Sequence, residues 1–103
     1  MAFSATIIQQ DDTVIVLALE GRLDVKAAHE AENIFQTAAQ ASTDVVLDMT
    51  ELVYIASAGL RAIKTLYKST KDSGHSLIVR NITEDVLEVF EITGFASMLK
   101  FEE

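Results

Sequence analysis

The chain has 103 residues, half of them hydrophobic, and no cysteine, with a net charge of −8 from sixteen Asp and Glu against eight Lys and Arg. This length predicts a single domain over residues 1–103, and the missing cysteines exclude thiol catalysis, disulfides and cysteine-bound zinc. The acidic balance argues against direct nucleic-acid binding, and because the sequence has neither a signal-peptide pattern nor a membrane-length apolar run, we expect a cytoplasmic protein without membrane insertion.

The first two predicted elements form a β-hairpin. Apolar and β-branched residues predict strands over Ala5–Gln9 and Thr13–Glu20. The Asp11-Asp12 turn between them is short, which favours antiparallel pairing. Gly21 is expected to break the second strand.

A helix and a third strand are predicted next. Apolar residues recur at helical spacing from Val25 to about Gln40, and Asp24 is placed to cap that helix. A strand is predicted over Asp44–Met49, with too little alternation for an exposed sheet face.

A strand-to-helix junction follows in the segment Ile55–Arg61. An amphipathic helix is predicted from Ala58 to about Lys71 and ends at Gly74, a left-handed cap residue, while Ser57 is expected to be its N-cap. The Ser57 hydroxyl would then lie at the positive end of the helix dipole, among unpaired backbone N–H groups. That position suits a group that becomes an anion, and phosphoserine is the obvious candidate. Because a serine N-cap is worth about 1 kcal/mol without any modification, capping alone is the competing explanation.

The remainder of the chain predicts two strands around a third helix. A strand is expected over Ser76–Arg80, followed by a helix that Thr83 caps and Gly94 stops, and by a short strand within Met98–Phe101. Helices that alternate with strands imply parallel crossovers, while the opening hairpin makes the sheet mixed. The predicted fold is therefore α/β: a mixed, mostly parallel sheet of four to five strands packed with three or more helices.

The sequence contains no recognisable catalytic or metal-binding motif. His29 and His75 are isolated and lack the spacing of metal ligands, and no phosphate-binding glycine loop is present. Ser57 lacks the flanking glycines of a hydrolase nucleophile, and no histidine is linked to it by a motif. We therefore expect neither an enzyme nor a protein that carries a cofactor or a metal.

Half of the positive charges lie within one eleven-residue window. Arg61, Lys64, Lys68 and Lys71 follow one another at spacings of 3, 4 and 3, which places them on one face of the predicted helix. A solvated helix face, with lysines that complement the helix C-terminus, is sufficient to explain the pattern. The alternative is that Arg61, four residues after Ser57, helps to define a docking surface.

The run IASAGLRAI resembles the phosphorylation signature of the STAS family of bacterial anti-sigma-factor antagonists. In this signature Ser57 stands at the phosphoacceptor, Ala58 at the small residue after it, and Gly59-Leu60 at the pair that follows. Glu20–Asp24 is similar to the family's glycine-hydrophobe-aspartate turn, and Ile92–Phe95 to its threonine-glycine turn. The element order matches too, so the resemblance covers nearly the whole chain and implies one STAS-like domain.

The resemblance implies an anti-sigma-factor antagonist that binds an anti-sigma factor with serine kinase activity. The kinase would use its own ATP to phosphorylate Ser57 and thereby end the complex, and a serine phosphatase would reset the site. The alternative is a STAS-type adaptor subunit, bound to a transporter ATPase or another signalling complex without obligatory phosphorylation. The implied partner-binding residues are Gly21, Arg22, Asp24, Ala56, Ser57, Ala58, Gly59, Leu60, Arg61 and Lys64.

Two residues of the signature carry expectations of their own. Ala56 replaces the aspartate or serine that often precedes the acceptor in the family, and we expect this to affect the efficiency of phosphorylation. Gly59 lies in the first helical turn, where glycine costs about 1 kcal/mol relative to alanine. That cost suggests either a tightened loop or a partner backbone that comes close.

Overall fold

The computed structural model describes residues 2–102 and contains five strands and three α-helices. The strands are β1 (Ser4–Gln10), β2 (Val14–Leu23), β3 (Asp44–Ile55), β4 (Leu77–Arg80) and β5 (Lys100–Glu102). The helices are α1 (Val25–Gln40), α2 (Ser57–Asp72) and α3 (Glu84–Ile92), and a short 3-10 helix covers Phe95–Met98.

The strands lie side by side in chain order in one sheet. β1 and β2 are antiparallel, and the three following pairs are parallel. Each parallel connection crosses over through one helix, and right-handed crossovers that advance in one direction along a sheet put their helices on the same face. The predicted mixed, mostly parallel α/β fold is confirmed.

The hydrophobic core lies between the three helices and one face of this sheet. Alternate residues of the parallel strands point into it, namely Ile15, Leu17, Leu19, Val45, Leu47, Met49, Leu77 and Val79. The helices contribute Ala27, Ala31, Phe35 and Ala38 from α1, Ile63 and Leu66 from α2, and Val86 and Phe90 from α3. The helical faces predicted from apolar spacing are therefore the ones that pack on the sheet.

β2 is longer than predicted, because Gly21 does not end it. Gly21 has φ +87°, and the register with β3 shifts between Gly21 and Arg22, after which pairing continues to Leu23. The shift is a local bulge of the kind that glycine at positive φ permits. The N-terminal segment also passes here, since a Cβ added at Gly21 would collide with the Ala2 carbonyl oxygen.

β3 is longer as well, because it continues to Ile55 instead of ending at Met49. The Asp48 carboxylate accepts hydrogen bonds from the Thr50 backbone N–H at 3.0 Å and from the Thr50 hydroxyl at 2.6 Å. The ladder with β2 shifts register at the same place. The irregularity interrupts the alternation of side chains, so the sequence pattern ended the strand six residues early.

The elements after α2 need smaller corrections. α3 follows Thr83 as predicted, but the Thr83 hydroxyl donates to the Leu52 carbonyl oxygen at 3.3 Å instead of capping the helix. Gly94 follows α3 with φ +78°, in agreement with its predicted role. Met98 belongs to the 3-10 helix, so the last strand begins at Lys100.

Candidate phosphorylation and partner-binding site

Ser57 is the first residue of α2 and not its N-cap. The N-cap is Ala56, which has extended backbone (φ −97°, ψ 171°) and accepts a hydrogen bond from the Leu60 N–H at 3.0 Å. The Ala56 N–H donates to the Leu23 carbonyl oxygen at 2.9 Å, so pairing between β2 and β3 extends up to the helix. This pairing holds Ala56 in an extended conformation, so Ala56 is the cap and the helix begins at Ser57, one residue earlier than predicted. The prediction of a serine cap is therefore wrong.

The start of α2 provides an electrostatic environment that favours an anion at the exposed Ser57 side chain. The first N–H groups of an α-helix have no acceptor within the helix. Within residues 2–102, no side chain caps α2, and its first turn contains no acidic residue. The helix dipole adds partial positive charge at the same end. Because Ser57 does not cap, capping no longer explains why a serine stands here.

Gly59 is explained by packing inside the protein. It is buried, and an added Cβ would lie 2.8 Å from both the Leu23 Cγ and the Leu23 carbonyl oxygen, and 2.9 Å from the Ile55 Cγ1. Ordinary contacts between carbon atoms lie near 3.5–4.0 Å, so about 1 Å of space is missing. Glycine lets α2 approach the ends of β2 and β3, and the close backbone is this chain's own Leu23.

The structure brings the two predicted halves of the site together. Leu23 pairs with Ile55 at the end of the β2–β3 ladder, which places the segment of Arg22 and Asp24 beside Ala56. Asp24 caps α1 as predicted, because its Oδ1 accepts a hydrogen bond from the Ala27 N–H at 2.9 Å.

The predicted partner-binding residues differ in their accessibility. Arg22, Ser57, Arg61 and Lys64 are exposed. Half-buried positions are Asp24, Ala56, Ala58 and Leu60. Gly21 and Gly59 are buried, so these two glycines shape the junction from inside.

Three exposed apolar side chains beside the junction are not among the predicted partner-binding residues. Val25 is 62% exposed, Val53 50% and Tyr54 40%. The guanidinium of Arg22 lies over the Tyr54 ring, with its Cζ 4.1 Å from the ring centroid. The signal lies in the β-branched and aromatic run that ends at Ile55, which follows the predicted end of the third strand at Met49.

A groove opens between α1 and α2, next to the site. Its volume is about 680 Å³, and Val25 and Ala58 line it at the end nearest Ser57. The buried side chains along it are apolar, and Arg61 stands on its α2 edge.

The described residues offer little other chemistry. Between residues 2 and 102, no three His, Asp or Glu side chains are grouped to hold a metal ion. Each histidine lies near one carboxylate, His29 at 3.6 Å from Glu32 and His75 at 3.5 Å from Asp44. None of the helices in this part of the chain has the length and apolar character needed to span a membrane.

Comparisons with known proteins cover almost the whole chain. A family model described as the STAS domain matches residues 5–103. BtrV of Bordetella bronchiseptica, provisionally named an anti-sigma factor antagonist, is 34% identical over 90 residues, which are 84% of this chain and 76% of BtrV. The anti-sigma-B factor antagonist of Bacillus subtilis is 25% identical over 89% of this chain and 84% of its own length. The structure of Bacillus SpoIIAA in its phosphorylated form matches with a TM-score of 0.71 and 19% identity, over 97% of this chain and 90% of that one.

Proposed function

Because the chain belongs to the STAS domain family, we propose that it is an anti-sigma-factor antagonist whose partner binding is switched off by phosphorylation of Ser57. Relatives that align with most of the chain bear that name. The observation that carries the site assignment is the position of Ser57, an exposed serine on the first turn of a helix that it does not cap.

In the unmodified state, the exposed surface around the junction contacts the anti-sigma factor. Arg22, Ser57 and Arg61 supply polar groups, while Val25 and Tyr54 supply apolar area. An anti-sigma factor held in this way is not available to its sigma factor. In this role the protein is a binding regulator of the cytoplasm and not an enzyme.

Phosphorylation transfers the γ-phosphoryl group of ATP, bound to the kinase, to the Ser57 Oγ, which loses its proton, and ADP is released. The product carries about −1.5 to −2 charges at a point that was neutral. The N–H groups of the first turn and the Arg61 guanidinium, one turn further along, stabilise the phosphate locally. Because each 1.4 kcal/mol of lost interface energy weakens affinity about tenfold, no change of fold is needed. A serine phosphatase restores the hydroxyl.

The site assignment is tested by phosphorylation of the purified protein. The protein is incubated with ATP and the candidate anti-sigma kinase, and intact mass and peptide mapping follow. We expect one phosphate in the wild type and in Ser97→Ala, a control at an exposed serine of the 3-10 helix, and none in Ser57→Ala. Equal phosphorylation of Ser57→Ala would show that the acceptor lies elsewhere.

The switch itself is tested by titration calorimetry with the anti-sigma factor. Ser57→Ala should bind like the unmodified wild type, and Ser57→Glu should bind at least about tenfold more weakly, because it places a charge in the interface. Equal binding of both variants would contradict the electrostatic switch and favour a constitutive adaptor.

A further inference from the structure

The groove between α1 and α2 has the chemistry of a receptor for one face of an amphipathic helix. Its buried or half-buried lining is apolar, with Ala28, Phe35 and Ala39 from α1 and Ala58, Ala62 and Leu66 from α2. Its edges are exposed and polar, and include Glu32 on α1 and Arg61 and Thr65 on α2. An apolar floor between polar edges is the arrangement by which grooves bind helices.

The dimensions of the groove fit a helix of three turns. The α2 edge runs from Ala58 to Ser69, and the α1 edge from Val25 to Gln40. The eleven steps between these twelve residues, at 1.5 Å each, give a length of about 17 Å along α2. Both helices connect parallel strands of the same sheet, so they run in the same direction and keep the groove open along this length.

Beside the groove, α2 carries a basic stripe, defined as Arg61, Lys64, Lys68 and Lys71, of which Arg61 lines the groove and the three lysines lie further round the helix. α2 holds these four of the chain's eight Lys and Arg but only one of its sixteen Asp and Glu, Asp72 at the helix end, so a helix of net charge +3 lies in a protein of net charge −8. Ser57 precedes Arg61 by four residues and therefore lies on the same face, at the head of the stripe.

The cations of the basic stripe have no acidic partner within the described chain. No Asp or Glu oxygen among residues 2–102 lies within 4.0 Å of their nitrogens. By contrast, Arg80 in β4 is paired with Glu102 in β5 at 2.8 Å. The acidic remainder of the surface repels acidic partners, so α2 is the face on which an acidic segment is attracted.

We propose that the groove and the basic stripe together dock an acidic amphipathic helix of the partner that Ser57 phosphorylation releases. The apolar side of this helix fills the floor between Phe35 and Ala62, and its acidic side faces Arg61 at the groove edge, while the lysines of the stripe add a longer-range attraction. The proposal rests on the proposed function, since it assigns a contact to the same partner.

The proposal also gives phosphorylation a second effect on binding. A phosphate on Ser57 lies one helical turn from Arg61, at a spacing where side chains on a helix meet. The phosphate then occupies Arg61 from within the protein and opposes acidic groups that approach the head of the stripe. The partner helix is displaced for two reasons. Arg61 is now paired with the phosphate, and the phosphate repels the acidic side chains of the partner helix.

The electrostatic part is tested with the anti-sigma factor used in the phosphorylation assay. Lys64→Glu combined with Lys68→Glu should weaken binding by about tenfold, because reversal turns the attraction of the stripe for an acidic helix into repulsion. The control, Arg80→Glu with Lys100→Glu on β4 and β5, changes the net charge equally away from the stripe and the junction and should bind like wild type. Wild-type affinity should fall between 0.05 and 0.5 M NaCl, and that of the stripe variant should change less.

The apolar part is tested with two matched threonines. Thr65 and Thr37 are both exposed in mid-helix, and each hydroxyl donates to the carbonyl four residues earlier, at 3.1 and 3.0 Å, but only Thr65 lines the groove. Thr65→Trp should block binding, and Thr37→Trp should not. A photo-crosslinking residue at position 65 should label an acidic helical segment of the partner, and one at position 37 should label none.

The outcomes separate this inference from the proposed function. If the anti-sigma factor binds and is released on phosphorylation, yet the stripe and Thr65 variants bind like wild type, the docking site is wrong and the function stands. A crosslink from position 65 to a second copy of this chain would equally overturn the docking site. If no anti-sigma factor binds the wild type at all, the proposed function fails and the docking site fails with it.

Discussion

Replacement of Gly59 by alanine separates the two explanations of this glycine. A Cβ at this position would lie 2.8 Å from the Leu23 Cγ and carbonyl oxygen and 2.9 Å from the Ile55 Cγ1. Neither neighbour has room to move, since Leu23 is fully buried and Ile55 is 3% exposed. The Leu23 carbonyl is also fixed by its hydrogen bond from the Ala56 N–H, at 2.9 Å. Relief therefore requires that the start of α2 move away from the sheet.

The size of the effect follows from two opposing terms. Overpacking of a filled core costs about 1–3 kcal/mol. Alanine gains at most about 1 kcal/mol over glycine within a helix. We therefore expect Gly59→Ala to reduce the free energy of unfolding by about 1–2 kcal/mol, which for a domain of this size lowers Tm by roughly 5–15 °C.

Urea denaturation and calorimetry of the isolated protein measure this loss without any partner. Gly74→Ala is the control, because Gly74 has φ +83° and open space around it, so only backbone strain of about 1 kcal/mol is expected. A double-mutant cycle with Leu23→Ala should show that the cost of Gly59→Ala falls once the Leu23 side chain is removed. If Gly59→Ala were neutral or stabilising and still failed to bind the anti-sigma factor, the packing explanation would be wrong. A partner backbone that comes close to Gly59 would then be the better explanation.

Three further predictions concern the cap of α1, the bulge in β2 and the turn between β1 and β2. Asp24→Ala removes the side-chain cap of α1 and should cost about 1 kcal/mol in urea denaturation. Gly21→Ala forces a Cβ against the Ala2 carbonyl at positive φ and should cost more than 2 kcal/mol by the same measurement, as strain and collision add. Hydrogen bonds from the Thr13 hydroxyl and backbone N–H hold the pKa of Asp11 below its ordinary 3.8. The ionised carboxylate therefore stabilises the fold above pH 3.8, and this contribution is lost as the pH falls through the lower pKa that Asp11 has in the folded protein. NMR titration should show that Thr13→Ala raises the Asp11 pKa towards 3.8 and that the stability difference between the two proteins narrows in acid; an unchanged pKa would contradict this cause.

The fold was predictable from the sequence where side-chain periodicity is uninterrupted. The alanine face of α1 follows helical spacing and is buried as expected, and the apolar runs of β2 and β3 lie within the sheet as predicted. Periodicity failed where the backbone is irregular. The β2–β3 register shifts at the Asp48–Thr50 hydrogen bonds and at the Gly21 bulge, and both strands continue beyond the ends predicted from sequence.

The details of the site were less predictable, because they depend on contacts between segments far apart in the chain. That Ala56 and not Ser57 caps α2 follows from the hydrogen bond to Leu23, which lies 33 positions earlier. No local pattern around Ser57 carries that information. The exposure of Val53 and Tyr54 likewise follows from the pairing of β3 with β2.

The packing contacts divide the STAS signature of this chain into two groups with different tasks. Gly21, Asp24 and Gly59 each have a complete structural explanation within the chain, in a bulge, a helix cap and a close helix–strand contact. Ser57 and Arg61 have none, since the serine does not cap its helix and the arginine has no acidic partner among residues 2–102. A substitution in the first group should therefore change stability first and binding only through it. A substitution in the second should leave stability nearly unchanged and alter phosphorylation or affinity directly, which makes measured stability the control for every binding experiment at this site.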